Sequence, residues 1–386
     1  MNSRTPWKLA VAASVAASVL LTAGCGDDGS GDGSSGGDTG SGGGAVVDVA
    51  AAQASIEPLT APPTEFPVTE PLAQRPEPGT TVAFLDVGTP TTAKVYEELN
   101  QAAEAMGVEL QRVQTGQSPQ EINAAMNTLV EARPDAVIDI AVDPALWTPQ
   151  LEQLQEQGTV VVLQSVVSGE QFGFDDEQIA FGAAGSKAFG SALASAVLAE
   201  TDGEATELVF YRIPELTFTP LIQEGVEERL EEQCPDCELR VVDISIAEVG
   251  STASRTIVSD LQANPETDAF IVSVDELQIG LPAAMQVAGM DVQGMGIAPT
   301  PLNLQQIADG QQLGSLATDF KFLSWLAMDQ AARGLAGQEF DYAFATEADP
   351  AISQIITADN VPADPEEGYV AFPDYQEQFS QLWAGQ

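Results

Sequence analysis

The hydrophobic positions from residue 81 onward follow two alternating patterns. Short runs that are apolar throughout, such as residues 82–85, alternate with longer segments in which apolar residues such as Val95, Leu99 and Met106 recur every three or four positions. A continuous apolar run is typical of a strand buried on both faces, and the wider spacing is typical of an amphipathic helix. The alternation therefore predicts an α/β fold of doubly wound parallel sheets covered by helices on both faces.

The predicted elements form two successive halves of five or six strands each. Strands are predicted at residues 81–87, 108–113, 136–142, 159–163, 207–213, 239–246, 269–274, 293–298, 313–318 and 352–357. Helices are predicted between most of them and at residues 320–335 and 375–383. Ser118 and Glu121 form a capping box at one helix start, and Asp143 precedes Pro144 as the N-cap of another.

The first 25 residues have the pattern of an export signal. Arg4 and Lys8 precede an apolar run over residues 9–21, which is too short to span a bilayer. The ending Leu-Thr-Ala-Gly-Cys resembles the lipobox of bacterial lipoproteins, in which the cysteine is lipidated and becomes the mature N-terminus. This predicts a signal peptide at residues 1–24 and lipidation at Cys25; the alternative is an ordinary secretory signal with an incidental cysteine.

A tether and a proline-rich arm follow the signal, and we assign residues 25–80 to them. Residues 26–44 are nearly all Gly, Ser and Asp, which is typical of a flexible linker. Residues 45–80 combine alanines with many prolines, so they are expected to form an extended packing arm or a linker.

The charge balance excludes several function classes. The chain carries 58 Asp and Glu against 13 Lys and Arg, a formal net charge of −45, which disfavours nucleic acid and anionic headgroups as partners. Histidine is absent, which removes His-based acid–base chemistry and His-ligated zinc. Neither a P-loop nor a dinucleotide-binding glycine motif occurs, so no metal or other cofactor is predicted.

Cys234 and Cys237 form a Cys-Pro-Asp-Cys motif. In an exported protein the pair predicts a small disulfide that closes a turn. A redox motif would normally open a helix, which lowers a thiol pKa, whereas this pair ends a helix among acidic residues. Two thiols without histidine also make a poor zinc site.

Several short sequence segments resemble those of the type I periplasmic binding proteins, the sugar-binding group that delivers solutes to ABC importers. They are found at residues 85–92, 134–144, 158–162 and 269–276, and the resemblance covers roughly residues 81–360. It implies two parallel-sheet lobes, made of residues 81–166 plus 320–386 and of residues 167–319. It further implies a three-strand hinge with crossings near residues 165–167, 298–301 and 318–320, and a ligand bound between the lobes.

The candidate ligand-binding residues lie in loops that follow strand ends. They are Thr89, Thr91, Thr92, Gln164, Ser165, Arg212, Asp275 and Asp319. The threonines could instead cap the next helix, and Arg212 could hold an anionic ligand or pair with a neighbouring acid. Aromatic residues could stack on a ligand or belong to the core: Phe218, Phe320, Phe322 and Trp325.

The chain departs from the family pattern at positions that hold sugars. Thr91 and Thr92 replace an expected aromatic pair, and Val274 replaces an asparagine before Asp275. Sugar sites depend on such polar and aromatic groups. The departures put a simple pentose or hexose in doubt and leave a modified sugar or a less polar solute open.

These features together predict a monomeric, lipid-anchored solute-binding protein on the extracytoplasmic face of the cell membrane. It would deliver a small molecule to an ABC permease without chemical change. One alternative is a receptor that presents its ligand to a membrane sensor kinase. A second is a hydrolase using a carboxylate pair such as Asp175 and Asp176, but in a chain with 58 acids such pairs occur by chance.

Overall fold

The computed structural model describes residues 46–164, 182–339 and 352–384. The strands are β1 (Thr81–Asp86), β2 (Glu109–Gln114), β3 (Ala136–Asp139), β4 (Val160–Leu163), β5 (Glu207–Arg212), β6 (Glu238–Asp243), β7 (Ala269–Val272), β8 (Gln293–Ile297), β9 (Gly314–Thr318) and β10 (Ser353–Ile356). The helices are α1 (Val49–Ile56), α2 (Pro90–Met106), α3 (Pro119–Ala132), α4 (Thr148–Glu156), α5 (Ala183–Glu200), α6 (Thr219–Gln233), α7 (Ala253–Ala263), α8 (Leu281–Ala288), α9 (Pro301–Ala308), α10 (Phe320–Ala336) and α11 (Tyr375–Trp383). The predicted signal peptide, Cys25 and Ser165 lie outside the described residues.

The strands form two sheets within one compact unit, Ala45–Gln386. In the first sheet the order is β2-β1-β3-β4 and every pairing is parallel. In the second the order is β10-β9-β8-β7-β5-β6, and only β10 pairs in the antiparallel sense. We call each sheet with its packed helices the first and the second lobe. The predicted class, two parallel-sheet α/β lobes, is thereby confirmed.

The path of the chain between the lobes differs from the expectation in two places. No crossing occurs at residues 298–301, because β8 continues through α9 to β9, its neighbour in the same sheet. Residues 353–356 were expected in the first lobe, but β10 pairs with β9 and so belongs to the second. The crossing near residues 318–320 is present: β9 lies in the second sheet, and α10 packs on α2, β3 and β4 of the first. The crossing near residues 165–167 lies outside the described residues.

The arm that precedes the first strand is folded against both lobes. Its helix α1, which the sequence did not predict, packs on α5, and the Asp48 amide donates to the Gln233 carbonyl at 2.7 Å in the second lobe. Farther along, the Phe66 ring packs edge-on against aromatic residues beside the first lobe, and Arg333 donates to the Glu70 carbonyl at 2.6 Å. The arm is thus a structural part of the protein.

Local chemistry fixes the start of the helices that reach the cleft. Thr89 accepts from the Thr92 amide while Thr92 accepts from the Thr89 amide, a reciprocal capping box at the start of α2. Asp319 accepts the Lys321 and Phe322 amides at the start of α10. These caps fix the helix starts a few residues after the ends of β1 and β9.

Two glycines let α5 and α6 of the second lobe approach closely. A Cβ at Gly190 would lie 1.9 Å from the Ile222 carbonyl oxygen, and one at Gly225 would lie 1.9 Å from the Lys187 carbonyl oxygen. Directly after the end of α6, Cys234 and Cys237 are joined in a disulfide, as the sequence predicted.

Among the described residues, none of the helices combines the length and hydropathy that a membrane span requires.

Candidate functional site

Residues that follow the strands of both sheets line a partly enclosed space between the lobes. Val87 follows β1 and Ile140 follows β3 in the first lobe, while Ile213 follows β5 and Val274 follows β7 in the second. The carboxyl ends of parallel strands are where α/β sheets bind ligands. The space therefore has the position expected for a ligand site.

The space consists of two adjoining chambers with volumes of about 90 Å³ and about 100 Å³. The first, here the Gln164 chamber, extends toward α5 and α10; the second, here the Glu276 chamber, extends toward the start of α2. Five residues line both: Ile140, Phe218, Val274, Ala298 and Phe320. All five are apolar, so their side chains offer no hydrogen bond where the chambers meet.

Polar side chains occupy the far ends of the two chambers. Gln164, Ser186, Thr318 and Ser324 line the Gln164 chamber, where Ser324 already donates to the Phe320 carbonyl. The Glu276 chamber is lined at its polar end by Glu276 and by Thr89, Thr91 and Thr92.

A hydrogen-bonded contact closes the cleft beside the Glu276 chamber. The Glu276 carboxylate in the second lobe accepts from the Thr91 amide at 2.8 Å and from the Thr91 hydroxyl at 2.6 Å in the first lobe. Glu276 is buried, and hydrogen bonds to a charged acceptor are the stronger kind. This contact, which we call the latch, ties the start of α2 to the turn after β7.

Four of the predicted residues lie at the chamber walls. Gln164 lines the Gln164 chamber, while Thr89, Thr91 and Thr92 line the Glu276 chamber. The three threonines are also engaged within the protein, since Thr89 and Thr92 cap α2 and Thr91 forms the latch. Thr92 in addition donates to Asp86.

The other three predicted residues that are described do not line either chamber. Arg212 pairs with Asp243 at 2.7 Å, the acidic-partner alternative considered from the sequence. Asp275 is fully buried and accepts from Ser315, Gln278 and Gln312. Asp319 caps α10 and accepts the Ala371 amide, while its neighbours Thr318 and Phe320 line the Gln164 chamber. Asp275 and Asp319 therefore stabilise the structure around the cleft through hydrogen bonds within the protein.

Three buried carboxyl groups close to strand ends have altered acidity. Burial raises the pKa of Asp139 to about 7, against the opposing effect of the Val142 and Ala141 amides. Burial likewise raises the pKa of Asp275 to about 7 and that of Asp319 to about 6. Protons therefore bind these groups more tightly than they bind an exposed aspartate.

The residues that the sequence did not single out are chiefly the apolar walls. Ile140, Val274 and Ala298 look like core residues in the sequence, because nothing in an apolar strand end distinguishes a cleft wall from a packed interior. Ala298 does carry a structural sign, since its φ of 64° lies in a left-handed region that non-glycine residues rarely adopt. Phe218 and Phe320 were considered as stacking surfaces and line both chambers.

Two other aromatic candidates belong to the core rather than to the chambers. The Trp325 ring stacks on Trp383 with centroids 5.1 Å apart, and Phe322 is fully buried against Phe372. Neither residue lines a chamber.

A larger, charged pocket of about 470 Å³ adjoins the chambers. It shares Thr91, Ala298 and Phe320 with the Glu276 chamber, and Lys94 and Lys321 stand among its acidic residues. Lys94 pairs with Glu97 at 3.0 Å, and Lys321 donates to the Glu367 carbonyl at 3.0 Å. Both lysines are thus already engaged within the protein.

Two α/β lobes with a partly enclosed space at their strand ends form an architecture suited to holding a ligand. A model of the periplasmic binding protein domain family matches residues 82–339, and the chain belongs to this family. The resemblance found in the sequence is thereby confirmed. The family and the similar solved structures are solute-binding proteins of transport systems, not enzymes. No curated protein sequence matched the chain.

Solved structures with the same fold come from several bacteria. The solute-binding protein of a 5-methylthioribose transporter from Thermotoga lettingae is 15% identical, with a TM-score of 0.65 over 81% of this chain and 99% of that one. The binding component of the arabinose transporter from Shewanella sp. ANA-3 is 18% identical, with a TM-score of 0.63 over 78% and 98%. A Mycobacterium smegmatis solute-binding protein with bound glycerol is 18% identical, with a TM-score of 0.62 over 76% and 99%. At these identities the likeness shows the shared fold.

Proposed function

We propose that this protein is a lipid-anchored, extracytoplasmic solute-binding protein that delivers a small molecule to an ABC permease. In this proposal Cys25 carries the lipid, residues 26–44 form the tether, and the folded part acts as a monomer. The solute is either sugar-like or less polar than a sugar, and it leaves the protein chemically unchanged.

The observation that carries the proposal is the pair of chambers lined by residues from both lobes. A solute held there contacts the two lobes at once and so favours the arrangement in which they meet. The latch between Thr91 and Glu276 would add to the stability of that closed arrangement. The lobes would close on the solute by rotating about the crossings between them, and the solute would leave when the lobes open again.

The similar structures support a solute of low molecular weight. Their descriptions name 5-methylthioribose, arabinose and glycerol as the molecules they transport or hold. Because the walls of the chambers here are largely apolar, the proposal extends from sugars to less polar compounds.

A thermal-shift screen tests the binding function. The purified protein would be heated with sugars, polyols, amino acids and neutral ring compounds. A ligand present at 100 times its Kd should stabilise the folded state by about 2.7 kcal/mol, which raises the melting temperature. If no small molecule in the screen raises it, the binding function is contradicted.

Metabolic labelling tests the anchor. In cells supplied with an alkyne-tagged fatty acid, the protein should carry the label and remain with the membrane fraction. The Cys25→Ser variant should lose both the label and the membrane association. Equal labelling of the two proteins would overturn the assignment of Cys25.

A further inference from the structure

The walls of the two chambers are apolar over most of their extent. Apolar residues from α2, α5 and α10 surround the Gln164 chamber, and the ends of β1, β3 and β5 contribute further ones to the Glu276 chamber. Where the chambers meet, the wall is formed by Ile140, Phe218, Val274, Ala298 and Phe320. A ligand that spans both chambers must therefore present an apolar middle.

No cationic side chain is found among the described residues that line the chambers. Among the described residues that line them, Glu276 is the one charged side chain, and its Oε1 accepts two hydrogen bonds from Thr91. Arg212, the cation considered for an anionic ligand, is held in its ion pair with Asp243. A carboxylate or phosphate would be buried here without a counter-charge, which is strongly unfavourable. The geometry therefore selects an uncharged ligand.

Few of the polar side chains that the structure describes in the chambers are available to satisfy the hydroxyls of a sugar. The threonines of the Glu276 chamber are engaged in the capping box and the latch. In the Gln164 chamber, Ser324 donates to the Phe320 carbonyl, and the Thr318 and Ser353 hydroxyl oxygens lie 3.4 Å apart. Gln164 and Ser186 are the other polar side chains described there, and the Gln164 amide lies 3.4 Å from the Gln330 amide oxygen. A polyhydroxylated ring would lose hydrogen bonds to water that these walls do not replace. One or two polar groups near Gln164 can be satisfied.

The size of the space fits a compact ring system. Each chamber, at about 90 Å³ and about 100 Å³, is smaller than the apolar cavity of about 150 Å³ that binds benzene in an engineered protein. Because the chambers share five wall residues, one ligand can occupy both. A ring with a small substituent fits such a two-part space.

We propose that the solute is a neutral, largely apolar ring compound that spans both chambers and directs one or two hydrogen-bonding groups toward Gln164 and Ser186. This inference rests on the proposed binding function and specifies the chemical class of its ligand. The charged pocket beside the chambers, where Lys94 pairs with Glu97 and Lys321 donates to the Glu367 carbonyl, is the alternative location for a polar solute.

Two matched pairs of compounds test the class. Cyclohexanol and myo-inositol share a six-carbon ring and differ by five hydroxyl groups; benzamide and benzoate share a ring and differ in charge. Affinities would be measured for the purified protein by calorimetry and by ligand-observed NMR. We expect cyclohexanol to bind at least about tenfold more tightly than myo-inositol, and benzamide at least about tenfold more tightly than benzoate.

A pair of valine variants places the binding in the chambers. Val274→Thr keeps the shape of the shared wall but replaces one methyl group with a hydroxyl, and should weaken cyclohexanol binding several-fold. Val287→Thr makes the same change on α8, where the side chain is 90% exposed, and should leave the affinity unchanged. Equal effects of the two variants would contradict binding at the shared wall.

The possible failures are distinguishable. If myo-inositol and other polyols bind more tightly than cyclohexanol, the chemical class is wrong while the binding function stands. If benzoate binds more tightly than benzamide, the requirement for a neutral ligand is overturned. If none of the four probes binds and the broader screen also finds no ligand, the proposed function itself is contradicted.

Discussion

Replacing Glu276 with glutamine should open the cleft. The carboxylate accepts two hydrogen bonds from Thr91 across the lobes, at 2.8 and 2.6 Å. Hydrogen bonds to a charged group contribute about 1.5–3 kcal/mol and those between neutral groups about 0.5–1.5 kcal/mol, so the change should cost the closed state about 1–2 kcal/mol. The ratio of closed to open molecules should then fall by about five- to thirtyfold, since each 1.4 kcal/mol is a factor of ten.

Pulsed EPR distances between the lobes would measure this change. Spin labels at residues 153 and 287 would report from α4 in the first lobe and α8 in the second, in a protein whose Cys25 is replaced by serine. We expect Glu276→Gln to increase the population at longer distances and to weaken solute binding by a similar factor.

A matched control separates opening from a general loss of stability. Glu248 accepts from Thr252 and Thr256, both within the second lobe, so Glu248→Gln removes a similar charge without touching the contact between lobes. The control should leave the distance distribution unchanged. If Glu276→Gln also leaves it unchanged, the latch does not hold the lobes together.

Three further predictions concern stability. Because burial raises the pKa of Asp139 to about 7, the folded state binds this proton more tightly than the unfolded state, so the group makes unfolding more costly as the pH falls from about 7 toward 4. Asp139→Asn should reduce that pH dependence in urea unfolding at pH 5 and pH 7.5, and an unaltered dependence would contradict the assignment. Phe66→Ala should destabilise the protein by about 2–3 kcal/mol, which is less than the cost of removing a fully buried ring. The control Val287→Ala, at an exposed site, should change stability little. Equal unfolding midpoints of the two variants would show that the arm is not part of the core. Cys234→Ser should lower the free energy of unfolding by about 2 kcal/mol on the loop-entropy model, and the wild type should lose a similar amount under a reductant that opens the disulfide.

The periodicity of the chain was sufficient to predict the α/β lobes, because strands buried on both faces must be apolar throughout. The partner of each strand was harder to predict. β10 looks like any other strand in the sequence, and only its long-range pairing with β9 assigns it to the second lobe. The crossing expected at residues 298–301 came from the family resemblance, and α9, which the sequence did not predict, instead connects β8 to β9 within the second sheet.

The candidate site was predicted in part, for a physical reason. Loops after strand ends were the right place to look, and Thr89, Thr91, Thr92 and Gln164 lie at the chamber walls. The charged candidates were misleading because each has a partner inside the protein: Arg212 pairs with Asp243 near the surface, and the buried Asp275 and Asp319 accept hydrogen bonds from neighbouring groups. The latch joins residues 185 positions apart, and nothing local in the sequence pairs them.

Hydrogen exchange with and without a saturating solute tests the central claim most directly, namely that the solute lies between the two lobes. With a compound from the thermal-shift screen, peptides around Ile140 in the first lobe and Val274 in the second should become protected together, because one molecule contacts both. Protection confined to one lobe, or absent from both peptides, would contradict a solute enclosed in this cleft.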